Sequence, residues 1–135
     1  MSDDDFDEAH HPQGPGQAPE FRRVSIAVEA AGWRDWPELR SGVRIRVLCE
    51  GPTPGERTAL LRYDPGAHVP RHLHPGQEWL LVLEGTQEDD SGAYGPGTWI
   101  SNPRGTLHQV KSPDGCLVLI HWSAPVEFEA EDDGK

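Results

Sequence analysis

The chain has 135 residues and a formal net charge of −11, and both values limit the classes of protein to which it can belong. This length predicts one domain with a modest core. An acidic chain without a basic stripe is not typical of proteins that bind nucleic acid or anionic membranes. No apolar run is long enough to span a membrane, and the acidic N-terminus is unlike a secretory signal.

The negative charge is concentrated at the two ends of the chain. Residues 1–20 hold six acidic residues and no Lys or Arg, and residues 127–135 hold five acidic residues and one Lys. The range 21–126 is therefore nearly neutral, with twelve acidic residues against eleven basic ones. The polar composition of 1–20, rich in Pro and Gly, predicts a disordered tail, and 127–135 is predicted to be a solvated acidic tail. The folded domain is expected to be 21–126.

Short strands separated by glycine and proline are predicted along this domain. Trp33 and Trp36, which precede Pro37, are interpreted as a flap that packs on one end of the domain. Apolar residues at 43, 45, 47 and 49 predict a half-buried strand, and a Gly/Pro turn follows at 51–55. Seven or more short strands without a convincing long helix predict an all-β jelly roll. The other strands are predicted at 58–63, 78–83, 97–101, 108–111 and 116–122, with a hairpin turn at 89–92.

The chain has two cysteines, Cys49 and Cys116, which are far apart in the sequence. This usage favours buried thiols in the reducing cytoplasm over a disulfide framework, although the sequence alone leaves a bridge between them open.

A two-part pattern of histidines and one carboxylate has the spacing of a metal site. Side chains two apart on a strand point to the same face, so His72 and His74 can bind one ion. Glu78 keeps the same parity, and His108 is expected to arrive from a second hairpin. Imidazole nitrogen and carboxylate oxygen are ligands that borderline and harder divalent metals accept. Four such donors leave one or two coordination positions open, which suits ligand binding or catalysis.

This pattern resembles both signature motifs of the cupin superfamily, with every motif position within 66–108 filled. The framework positions are Gly66, Gly85, Gly97, Pro103 and Gly105. One departure is Ser112, because an asparagine often stands four residues after the last histidine.

From about residue 36 to residue 120 the chain also resembles the cupin-like domain of the ChrR family. The similarities are Pro37 with Gly42-Val43, the runs 58–66 and 81–85, and Gly115-Cys116. The resemblance implies a single-domain cupin jelly-roll β-barrel, and the composition adds flexible acidic termini to it. It also implies a metal held by His72, His74, Glu78 and His108.

Three functions are compatible with such a metal. The first is a metal-dependent enzyme acting on a small molecule, such as a cupin-type dioxygenase. The second is a ChrR-like sensor or regulatory module without catalysis. ChrR-type anti-sigma factors carry a separate N-terminal helical zinc domain, which this sequence does not display, so a direct anti-sigma role is not expected. The third is a structural or storage metal, which fits less well because structural zinc sites favour cysteine and closed shells.

The sequence limits the possible metals and the possible partners only in part. Iron, manganese, zinc, nickel or copper suit the donor set, and iron or zinc is favoured. No other catalytic constellation or organic cofactor is predicted, because there is no nucleophile elbow, phosphate loop or nucleotide fingerprint. A small-molecule ligand or substrate is expected, with no nucleic acid or membrane partner. A homodimer is also expected, and Trp79, on the face opposite the ligands, is a candidate contact.

The remaining histidines are interpreted as ordinary surface or core residues. These are His10, His11, His68 and His121. His121 lies in an apolar run, so a position lining the barrel is an alternative for it. Arg62 and Tyr63 are adjacent, and one of the two is expected to face the cavity. Because imidazole must be neutral to bind metal, the metal is expected to leave as the pH falls through roughly 6 to 5.

Overall fold

The computed structural model describes residues 23–27, 31–36 and 42–129. Within these ranges the chain forms eleven strands and no helix, so nothing there is a helix able to cross a membrane. The strands are β1 (Arg34–Asp35), β2 (Val43–Glu50), β3 (Arg57–Tyr63), β4 (Ala67–Leu73), β5 (Glu78–Gly85), β6 (Gln87–Asp89), β7 (Gly92–Tyr94), β8 (Trp99–Asn102), β9 (Leu107–Ser112), β10 (Cys116–Trp122) and β11 (Glu127–Phe128).

The strands form two antiparallel sheets. A six-stranded sheet has the order β1-β2-β3-β10-β5-β8, and a five-stranded sheet has the order β11-β4-β9-β6-β7. The all-β prediction is therefore confirmed. In the part of the chain that the structure describes, no ladder joins the two sheets. The arrangement is thus a pair of facing sheets and not a barrel closed by hydrogen bonds.

The core lies between the two sheets because both contribute an apolar face. Strand β9 alternates strictly between exposed and buried residues, and β5 follows the same alternation from Glu78 to Val82. Ile45, Val82 and Val118 are completely buried. Each large apolar side chain buried in this way contributes roughly 1.5–3 kcal/mol, so this layer accounts for much of the stability.

Among the strands whose ranges were not predicted, β4 and β11 bear on the site. Strand β4 contains Pro70, followed by Arg71, and a proline within a strand does not favour that assignment. Its pairing with β9 shifts register between Val69 and His72, which is where the proline, lacking an N–H group, is accommodated. Strand β11 falls within the range expected to be a solvated tail, yet it pairs with β4, and Phe128 packs against the core. Packing therefore continues past residue 126.

Candidate metal centre

The three histidines of the sequence motif come together at one end of the space between the sheets. His72 lies on β4, directly opposite His108 on β9, and His74 follows the end of β4. His68 and Pro70 are exposed, so simple alternation would point His72 outward as well. The register shift before His72 reverses this and turns the ring inward. The bulge in β4 is thus what brings His72 to the site.

The three rings form a tight, buried cluster. Their centroids are 4.7 to 5.0 Å apart, and each pair of rings is close to perpendicular. One nitrogen from each ring lies within 4.8 Å of the other two, a spacing that allows all three to bind one ion. His72, His74 and His108 are only 4%, 1% and 6% exposed, so water does not solvate the rings freely.

Hydrogen bonds at the Nδ1 atoms determine which nitrogen faces the cluster. His72 Nδ1 lies 2.8 Å from the carbonyl oxygen of Pro70, which can only accept, so Nδ1 carries the proton. Thr106 Oγ1 lies 2.9 Å from His74 Nδ1 and donates its single proton to the Pro103 carbonyl at 2.6 Å. His74 Nδ1 must therefore donate to Thr106.

For His108 the outer neighbour is a carboxylate that lies beyond hydrogen-bond distance. The His108 Nδ1 atom lies 3.6 Å from Asp89 Oδ2, and that carboxylate favours a proton on Nδ1. With a proton on each Nδ1 atom, the lone pair of each ring is on Nε2. In the described part of the chain, the buried Nε2 atoms of His74 and His108 have no hydrogen-bond partner. Buried polar atoms normally have one, and a metal ion is the partner that three converging lone pairs fit.

Glu78 lies beside this cluster and is held by two buried donors. Its Oε1 atom accepts from Asn102 Nδ2 at 2.8 Å, and Oε2 accepts from Trp122 Nε1 at 2.7 Å. Oε1 is also 3.5 Å from His74 Nε2. Each carboxylate oxygen keeps a further lone pair. The three histidines form the grouped ligand set, and Glu78 as a fourth ligand stays a prediction.

Burial and neighbouring groups set the protonation of the site. The pKa of His72 is lowered to about 4, mainly by burial; the hydrogen bond to Pro70 opposes this shift and nearby His108 adds to it. Burial and the charge of His74 also lower the pKa of His108. Burial raises the pKa of Glu78, but its interactions with His74 and Asn102 outweigh this and lower it overall. Neutral imidazoles beside an ionised carboxylate are the forms that bind a divalent metal.

A small cavity adjoins the histidines between the two sheets. Its volume is about 20 Å³, which is enough for about one water molecule. His72, His108 and Glu78 form part of its lining, together with Tyr63 and Gln87. The rest of the lining is mainly apolar, so a ligand at the site is held in a largely dry environment.

Trp36 covers this end of the molecule. It is buried and lies 5.4 Å from the ring of Trp122 and 6.4 Å from that of Phe128, measured between ring centroids. These contacts agree with the predicted flap for Trp36. Trp33 is only half-buried.

The other candidate residues are placed away from the histidine cluster, except Tyr63. His68 is exposed and lies 3.0 Å from Gln109 Oε1. His121 lies on the outer face of the six-stranded sheet, where Nδ1 is 2.8 Å from Thr58 Oγ1, so it does not line the cavity. Tyr63 faces the cavity, whereas Arg62 forms an ion pair with Glu84. Cys49 and Cys116 are free thiols, and His10 and His11 lie outside the described residues.

Sequence reasoning missed the residues that orient the ligands. Asn102 pairs with Glu78 across the β5–β8 ladder, and Trp122 pairs with Glu78 across the β5–β10 ladder. Thr106 and Asp89 hold the outer nitrogens of His74 and His108. The only signal in the sequence was the position of Asn102 and Thr106 on either side of the Pro103–Gly105 turn.

Facing antiparallel sheets with three inward histidines on this spacing define a cupin. Within that class, the chain belongs to the ChrR cupin-like domain family, whose model matches residues 22–126.

A curated relative supports this assignment. The chain is 35% identical over 98 residues to the anti-sigma-E factor ChrR of Cereibacter sphaeroides, a match that covers 70% of this chain and 45% of that factor. The chain thus spans about half the length of this relative. The crystal structure of Rhodobacter sphaeroides SigE in complex with the anti-sigma ChrR matches at 30% identity with a TM-score of 0.60, covering 72% of this chain and 52% of the other.

More distant structures share the fold. An acetylacetone dioxygenase from Acinetobacter johnsonii matches with a TM-score of 0.73 at 19% identity, covering 93% of this chain and 87% of the other. The polyketide cyclase RemF from Streptomyces resistomycificus matches with a TM-score of 0.68 at 20% identity, covering 84% and 89%. At these identities the likeness concerns the fold alone.

Proposed function

We propose that this protein is a cupin that binds one divalent metal ion through His72, His74, His108 and Glu78, and that it acts as a metal-dependent enzyme on a small molecule. The observation that carries the proposal is the common orientation of the three imidazoles. Each has its Nδ1 atom beside an outer partner, which leaves Nε2 as the nitrogen that we assign to the ion. The jelly roll of cupins, as two facing sheets, is the architecture that we assign to the chain.

The residues of the chain have separate tasks in this proposal. A bound divalent ion supplies a Lewis-acid or redox-active centre with positions open to a ligand. Pro70, Thr106 and Asp89 orient the three imidazoles, and Asn102 with Trp122 orients the Glu78 carboxylate. The apolar lining excludes bulk water, which strengthens the electrostatic interactions of whatever binds there. A cupin-type dioxygenase is the reaction class that we assign first.

A second candidate is a regulatory metal-binding module without catalysis. Two observations favour it: the 35% identity with an anti-sigma factor, and a cavity of about 20 Å³. A diketone or a phenolic ketone does not fit that volume unless Trp36 or Phe128 moves. In this second candidate function, the site binds a metal and a ligand of one or two atoms, and a partner protein recognises the liganded form.

Metal analysis followed by an activity screen separates the two candidates. Protein purified without an affinity tag would be analysed for metal and then tested for oxygen uptake with diketones and phenolic ketones. Bound iron with turnover, both lost in His74→Ala, supports the enzyme. Tightly held zinc without turnover supports the regulatory module.

We infer that the protein forms a homodimer through the outer face of the six-stranded sheet. Trp79 and Trp99 are 40% and 60% exposed there, and their rings stack with centroids 6.2 Å apart. Exposed apolar area of this kind is typical of an interface. Sedimentation equilibrium should show a dimer that the double change Trp79→Ser and Trp99→Ser dissociates. Leu107→Ser, at an equally exposed position on the other sheet, should leave the dimer intact.

The two free thiols favour a reducing compartment, and we propose the cytoplasm.

A further inference from the structure

Gln87 is a buried polar residue that the metal site as described does not use. It opens β6, and its side chain is only 1% exposed. Its Nε2 atom is buried and has no hydrogen-bond partner among the described residues. A buried amide donor without a partner is destabilising, because the group has lost its hydration and gained nothing in return. A leucine or methionine at this position would fill the same space without that cost.

The place of Gln87 in the cavity indicates what its partner is. Gln87 lines the same cavity as His72, His108 and Glu78. The side chains around it there are largely apolar: Leu61, Val69, Leu80, Val110 and Ile120. These side chains accept no hydrogen bond, and Gln87 Nε2 makes none with the polar lining residues either. The partner that we infer for this donor is therefore a molecule inside the cavity. That cavity holds about one water-sized group, and the lone pairs of the histidine cluster are at its edge.

We propose that Gln87 is a positioning residue whose side-chain amide donates a hydrogen bond to a small oxygen-type or anionic ligand at the open position of the metal. Hydroxide and the ionised oxygen of a carboxylate or an enolate belong to this class. The inference rests on the proposed function, since it requires a metal at the three histidines. Gln87 itself is not a metal ligand in this proposal, so its replacement leaves the metal in place and weakens the ligand.

The test uses the full-length protein loaded with cobalt(II), and fluoride is the probe. Fluoride is an anion of about the size of water that accepts hydrogen bonds strongly, so it fits the cavity. Fluoride binding would be followed by the visible spectrum of the cobalt ion in wild type, Gln87→Leu and Gln87→Met. Hydrogen bonds to charged groups are worth more than neutral ones, so both variants should bind fluoride about tenfold to a hundredfold more weakly. Each variant should still bind one cobalt per chain.

Leu80→Met is the matched control, because it changes the wall of the same cavity at nearly constant volume and adds no amide. Its fluoride affinity should stay within about twofold of wild type. Unchanged fluoride affinity in both Gln87 variants, or an equal loss in Leu80→Met, would overturn the role of Gln87. If the wild type binds cobalt but not fluoride, the role of Gln87 is also overturned, whereas the proposed metal site is not. Failure of the wild type to bind cobalt would overturn both proposals.

A second measurement covers the case in which the Gln87 variants do not fold. In zinc-loaded wild type labelled with ¹⁵N, fluoride should move the side-chain amide resonances of Gln87 strongly. Those of the half-buried Gln77, which already donates to Ser101 Oγ at 2.7 Å, should move little. An unchanged Gln87 amide at saturating fluoride would contradict the proposal.

Discussion

Thr106→Val tests whether a hydroxyl outside the ligand set fixes the orientation of a ligand. In the wild type, Thr106 Oγ1 lies 2.9 Å from His74 Nδ1 and donates to the Pro103 carbonyl at 2.6 Å. Valine has nearly the same shape but no hydroxyl. The Nδ1 proton of His74 then lacks its partner, and the ring is free to turn or to move its proton to Nε2. Either change removes the lone pair that points at the metal.

The expected size of the effect follows from the type of contact removed. Loss of a partner that orients a metal-bound histidine typically weakens metal binding by about tenfold to a hundredfold. This corresponds to about 1.4 to 2.8 kcal/mol of binding free energy. Zinc affinity would be measured by competition with a chromophoric chelator at pH 7.5. Thr106→Ser, which keeps the hydroxyl, should bind zinc nearly as tightly as wild type.

Thr98 provides a matched control in another turn. Its Oγ1 donates to the Gly95 carbonyl at 2.7 Å, and its backbone N–H bonds to the same carbonyl at 3.2 Å. The Thr106 backbone makes the same 3.2 Å contact with Pro103, but among the described residues no hydrogen bond joins Thr98 to a histidine. Thr98→Val should therefore cost some stability and no zinc affinity. If Thr106→Val binds zinc as tightly as wild type, or if Thr98→Val loses as much, the orientation argument is wrong.

Three further predictions concern protonation, the carboxylate and the C-terminus. The pKa of His72 is about 4 in the folded metal-free chain and near 6.5 when the chain is unfolded, so the unfolded state binds more protons as the pH falls. The free energy of unfolding, measured by urea titration, should therefore fall by about 3 kcal/mol between pH 7 and pH 4. The decrease should be smaller in His72→Gln. Trp122→Phe removes the 2.7 Å donor to Glu78 and should lower that free energy by about 1.5–3 kcal/mol in the same assay. A chain ending at residue 129 should have the same melting temperature as the full-length protein, measured by circular dichroism. A chain ending at residue 126 lacks β11 and should melt several degrees lower. Equal melting temperatures of the two truncated chains would contradict the packing of Phe128.

The low pKa of His72 also changes the expectation for metal release. A free histidine would release metal as the pH falls through roughly 6 to 5. Since burial keeps the His72 imidazole neutral down to about pH 4, proton competition at this ligand begins at a lower pH than the sequence suggested.

Strands with a regular pattern were predictable, because their apolar residues alternate along the chain. Strands β2, β3, β5 and β10 match the predicted ranges to within two residues at each end. A strand was expected around His72, but the full range of β4 was not predicted, because its inward alternation is interrupted at Pro70. His72 faces the site because of the register shift at this interruption, and simple alternation along the strand would have pointed it outward.

The histidine cluster was predictable from spacing, but its orientation was not. His72, His74 and His108 occupy motif positions, so their grouping was predicted from the sequence, and the structure places them together. The groups that fix their protons are a backbone carbonyl, a threonine and an aspartate from separate segments. Such residues have no spacing relation to the motif, and only the register of the folded strands places them.

The central claim is that one metal ion is bound by the inward Nε2 atoms of the three histidines. The most direct measurement is metal content per chain by elemental analysis, on protein purified without an affinity tag, for wild type and His74→Ala. We expect about one divalent ion per wild-type chain and none in His74→Ala, and the double change His10→Ala and His11→Ala should not alter the metal content. Full occupancy in a folded His74→Ala protein would contradict the claim.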